Sequence, residues 1–111
     1  MKIIYNNDLK ILIPKPETNL NLFLELINNE IKRESNYHFI IDFSNRNNVN
    51  IQDILLFLTL SKSLRNNNIS FVIISQNLNL DNVPEDLVIV PSLTEAKDVI
   101  ELEKIERDLG F

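Results

Sequence analysis

Two apolar runs decide most of what this chain can become. HFIIDF (residues 38–43) and ISFVIIS (69–75) are each of strand length, and neither carries a polar side chain at its centre. Successive side chains of a strand point to opposite faces, so a run that is apolar throughout must be covered on both. Between the two runs lie a polar loop, residues 44–50, and a stretch of helical character, residues 51–64. Strand, helix and strand in this succession form a right-handed crossover that leaves the strands parallel. The frame is therefore an α/β domain.

The flanking segments extend that frame. KIIY (2–5) and LKILI (9–13) read as strands around Asn6, Asn7 and Asp8, residue types that tolerate the positive φ of a tight hairpin. Pro14 and Pro16 end the second of them. Over residues 18–34, Leu20, Phe23, Leu24, Ile27 and Ile31 share one face of a helix, with Thr18 expected as its N-cap. Glu25, Asn28, Asn29, Lys32 and Arg33 fall towards solvent. Asn50 is placed to cap the helix 51–64, and Asp53 to complement its dipole. Residues 76–86 form a polar connection, and LVIV (87–90) a short last strand. Ser92 and Glu95 open a final helix in capping-box spacing, and Gly110 stands where it should stop. The order is ββαβαβ(β)α. It predicts a single domain over residues 1–111, with a mixed, mostly parallel sheet of four to five strands and three main helices.

Several functions are disfavoured by residue type. With no cysteine, thiolate chemistry and disulfides are excluded. The net charge of −5 and the scattered eleven Lys and Arg offer no basic stripe for nucleic acid or an anionic membrane surface. No window approaches the roughly 18 apolar residues of a spanning helix, which points to a cytoplasmic protein. The one glycine, Gly110, cannot build a phosphate-cradling loop. His38 stands alone beside Tyr37 and Phe39 and reads as an ordinary strand-edge residue. Glu17, Glu25, Glu30, Glu34, Asp81, Glu85 and Asp86 read as solvated, with no nucleophile among them. No cofactor, metal site or enzymatic activity is expected.

The strand IIDFS, the helix ILLFLTLSKSLRNNN, the strand ISFVIIS and the late VPSLTEAKDVIE together resemble the STAS domain, most strongly from Phe39 to Ile100. That family includes anti-sigma-factor antagonists and the cytosolic domains of sulfate transporters, and the resemblance implies a small bacterial protein. The resemblance implies a STAS-like fold and a regulatory module that binds another protein. The family's Asp-Ser signature, whose serine a partner kinase phosphorylates, sits at the start of the second helix. With Asp42 aligned to the family's strand-end aspartate, Asn50, Ile51, Gln52 and Asp53 occupy that place. None carries a hydroxyl, so the phosphorylation site is degenerate. Ser35 and Ser44 are the nearest hydroxyls, and Ser44 is either a relocated site or a residue that binds its own loop. Asp42 is either a ligand-facing group or an acceptor that fixes the loop. The partner surface expected from the resemblance is Ser44, Asn45, Asn47, Asn48, Asn50, Ile51, Gln52 and Asp53. The alternative is a small-ligand domain, for a nucleotide or an anion, with its crevice at the ends of strands 38–43 and 69–75. The ending ERDLGF also resembles that of short bacterial proteins labelled ribonuclease Z. That two-zinc hydrolase needs a histidine cluster, which a chain with one histidine cannot supply.

The last helix carries two apolar faces. Ala96, Val99 and Ile100 suit the sheet. Leu102, Ile105 and Leu109 repeat on roughly the opposite side, and Phe111 extends them. Either the C-terminal half bends over the domain edge, or it meets an unidentified protein partner or a second copy of the chain.

Overall fold

In the computed structural model, which describes residues 1–34, 36–46, 48–76 and 78–110, strands β1 (Lys2–Asn6) and β2 (Leu9–Ile13) form the expected hairpin, with Asn7 at φ 56° in its turn. Helix α1 (Leu20–Arg33) leads to β3 (His38–Asp42). Helices α2 (Ile51–Leu55) and α3 (Leu58–Asn66) precede β4 (Phe71–Ile74). Strand β5 (Val88–Val90) and helix α4 (Leu93–Asp108) complete the order. The five strands lie in the order β1-β2-β3-β4-β5; β1 is antiparallel to β2, and every other pairing is parallel.

Alternation along each strand divides the core in two. Leu12, Phe39, Ile41, Phe71 and Ile73 face α1, α2 and α3, where they meet Phe23, Ile27, Ile54, Phe57 and Leu64. Leu9, Ile11, Ile40, Val72 and Ile74 face α4 and meet Ala96 and Ile100. Both apolar runs are covered on both faces, as their composition requires.

Two local details differ from expectation. Asn19, not Thr18, caps α1: its carboxamide accepts from the N–H groups of Asn21 and Leu22 at 2.9 and 3.3 Å. Thr18 instead donates its N–H to Lys15 in the preceding turn. The helix expected over residues 51–64 is divided. Leu56 N–H bonds to Asp53 and Phe57 N–H to Ile54, a tightened turn that separates α2 from α3. A straight helix cannot bury apolar residues spread around most of its circumference. The break turns Phe57 wholly inward, where its ring lies 5.8 Å from that of Phe43 and 6.3 Å from that of Phe23.

Candidate functional site

The loop after β3 sits at the carboxyl edge of the parallel strands, and it is tied down on both sides. Asp42, the last residue of β3, accepts a 2.9 Å hydrogen bond from the Ser44 N–H. It is thus the loop-fixing acceptor of the two readings, and the backbone of Ser44, rather than its hydroxyl, makes the contact. Asn45 donates its amide to the Pro14 carbonyl at 2.9 Å. Arg46 donates to the carbonyls of Lys15 and Thr18 at 3.2 and 2.8 Å. Phe43, buried against Phe23 and Phe57, anchors the loop from below.

At the start of α2 the expected cap is present and reciprocal. Asp53 N–H donates to the Asn50 side chain at 3.0 Å, and Asn50 N–H to the Asp53 carboxylate at 3.1 Å. Asp53 is therefore occupied by its own helix. Ser44, Asn45, Asn48, Asn50 and Gln52 are exposed, while Ile51 and Asp53 are half-buried. Asn47 lies outside the described residues, as do Ser35 and Phe111. A shallow cleft of about 280 Å³ is lined by Pro16, Asn45, Arg46, Asn48 and Asp53. Its two charged groups are already engaged, Arg46 by carbonyls and Asp53 by the cap. The edge presents amide groups and chain geometry, with no hydroxyl at the helix start.

The second candidate surface lies at the other end of the sheet. Helix α4 runs back from β5, so its last turns reach the amino edge of the strands. There Lys104 pairs with Asp8 at 2.7 Å, and Glu103 with Arg65 at 3.0 Å. Leu102, Ile105 and Leu109 are 57, 48 and 67% exposed. The helix does not bend to cover them. Loop and stripe are separate surfaces, not halves of one site.

Two polar clusters escaped the reading of the sequence. Lys10 of β2 is wholly buried and pairs with Glu30 at 2.8 Å and Glu34 at 3.0 Å, beneath the rings of Tyr5 and Tyr37. Glu30, expected in solvent, is 8% exposed and also binds Arg33 at 2.6 Å. Burial, the largest influence on Lys10, lowers its pKa, but the bonds to Glu30 and Glu34 together outweigh it and the net shift is upward. Arg33 first and Lys10 second hold Glu30 below the usual carboxylate range. Lys10 is a held cation, not a nucleophilic amine. The second cluster joins α4 to the strand starts. Ser70 donates its hydroxyl to Glu103 at 2.6 Å and accepts from Arg107 at 2.9 Å. His38 accepts the Ser70 N–H on Nδ1 at 2.8 Å, and burial pushes its pKa down. His38 therefore opens a central strand as a neutral acceptor and is not an edge residue. Period-two alternation puts Lys10 on the face of Leu12, and Glu30 follows Phe23 by seven along the buried stripe. Those spacings were the available signals. Among the described residues no group of three or more His, Asp or Glu side chains could hold a metal ion, and no helix is long and apolar enough to cross a membrane.

An antiparallel first strand, four parallel strands in sequential order, and helices on both faces define a STAS-like α/β domain. A chain solved within the molecular architecture of the stressosome, a signal integration and transduction hub, is similar to this one, with a TM-score of 0.64 over 91% of this chain and 96% of that one. At 14% identity the likeness shows the fold. No protein-family model matches the sequence, nor does any curated protein. The ribonuclease Z label suggested by the ERDLGF ending finds no support in these comparisons.

Proposed function

We propose that this chain is a regulatory protein-interaction module, without enzymatic activity, that recognises a partner protein through loop 44–50 and the start of α2. The observation that carries the reading is the pinned loop. Asp42, Asn45 and Arg46 hold residues 44–46 and the Asn50–Asp53 cap holds the start of α2, so Ser44, Asn50 and Gln52 are presented outward in a fixed arrangement, with Asn48 exposed between them. Preordered polar groups lose little conformational entropy on binding, which favours recognition of a protein surface. The structural neighbour's place in a signal integration hub supports the same kind of role.

Regulation by phosphate at the helix start does not fit these residues. Asn50, Ile51, Gln52 and Asp53 carry no acceptor hydroxyl, and the Asp53 carboxylate already occupies the Asn50 N–H. The test is phosphate mapping by mass spectrometry on the chain recovered from its own cells. The expected result is no phosphate on residues 44–53. Stoichiometric phosphate on Ser44 would show that the switch has moved by a few residues rather than been lost.

A further inference from the structure

The C-terminal half of α4 is turned inside out. Beyond Ile100, the side chains that face the sheet are Glu103, Lys104 and Arg107, all charged. Leu102, Ile105 and Leu109 face solvent. A helix with this composition would hide its leucines by rotating half a turn. It is prevented by Asp8, Arg65 and Ser70, which hold the charged side in place. The outward stripe is thus enforced by the fold.

The charges bordering the stripe narrow what can cover it. Projected at 3.6 residues per turn, Glu106 lies along one border, and Asp108 along the other with Glu101, which also pairs with Lys104 at 3.6 Å. Asp98 sits on the stripe one turn earlier. All four are exposed. A second copy set against this face would oppose acid to acid in a chain already at −5. Anionic lipid is repelled by the same borders.

From this arrangement we infer that the outer face of α4 docks a helix of another protein, one with an apolar stripe flanked on both sides by Lys and Arg. The leucines supply the seam, and the acidic borders supply register and salt-dependent attraction. This surface lies at the opposite end of the sheet from loop 44–50 and stands whether or not the loop binds anything.

The test uses the intact chain and two model helical peptides that share one leucine stripe, one flanked by lysines and one by glutamates. Binding is followed by amide chemical shifts. The lysine-flanked peptide should shift residues 98–109, bind at least about tenfold more tightly than its acidic counterpart, and weaken with salt. Ile105→Asp should lose that binding with the melting temperature unchanged, since the residue is exposed. Glu106→Lys with Asp108→Lys should transfer the preference to the glutamate-flanked peptide. Equal binding of the two peptides, or no binding of the basic one, would overturn the inference. So would a sedimenting dimer that Ile105→Asp dissociates, or retention of the chain by neutral lipid vesicles.

Discussion

At the scale of single residues, the buried Lys10 shows where stability is concentrated. A charge removed from water is tolerated only while its partners remain. Glu30→Ala leaves the ammonium with Glu34 alone, at the solvent boundary. Urea unfolding should show a loss of about 3 kcal/mol, the lower end for breaking one side of a buried pair. Lys10→Met, which removes the buried charge and leaves Glu30 to Arg33, should cost far less. His38 supplies a pH dependence of definite sign. Its folded pKa lies below the ordinary 6.5, with burial the main cause. As pH falls below 6.5 the unfolded chain takes up a proton that the folded chain resists, so stability declines. Thermal melts should fall between about pH 7 and about pH 5, and His38→Gln should remove that slope. Asp8, Glu30 and Glu34 have lowered pKa values, Asp8 mainly through Lys104, so their contribution is lost only at more acid pH.

Among the elements, α4 and α2 are held by different means. Residues 96–100 of α4 bury Ala96 and Ile100, whereas residues 101–108 are held by ion pairs and by the Ser70 hydrogen bonds to Glu103 and Arg107. Arg65 Nε and Arg107 Nη1 are buried without a hydrogen-bond partner among the described residues, so the network is not fully satisfied. Native-state hydrogen exchange should therefore be faster over residues 101–108 than over 96–100. Short α2 depends on its cap, and Asn50→Ala should cost about 1 kcal/mol, read by urea unfolding. The elements were legible because their signals are local: apolar runs, periodicity and caps. The division of 51–64 was foreshadowed by apolar residues around most of the circumference, but its position was not. It depends on where Phe23 and Phe43 leave room for Phe57, and those rings come from other elements. Glu30 was misread, and Lys10 passed over, for the same reason. Each spacing points inward, yet their pairing becomes visible only once β2 lies beneath α1.

For the whole molecule, the sheet sets two surfaces apart. Loop 44–50 lies at the carboxyl edge of the strands, and the stripe of α4 reaches the amino edge. On the proposed function and the inference from α4 together, the two surfaces would hold two partners at once. That a polar loop follows β3 was legible from the sequence, whereas its choice as a partner surface came from the resemblance. The loop's rigidity was not legible, because the restraining carbonyls of Pro14, Lys15 and Thr18 lie about thirty residues earlier in the chain. The central claim, recognition of a protein by this pinned loop, is tested most directly by photo-crosslinking in the native cell. A photoreactive side chain is placed at Ser44, Asn48 or Gln52, with the exposed Lys32 of α1 as control. The loop positions should capture one discrete protein that Lys32 does not, and Arg46→Ala, which releases the loop, should reduce its yield. Loop positions that capture nothing beyond the Lys32 control would contradict the account.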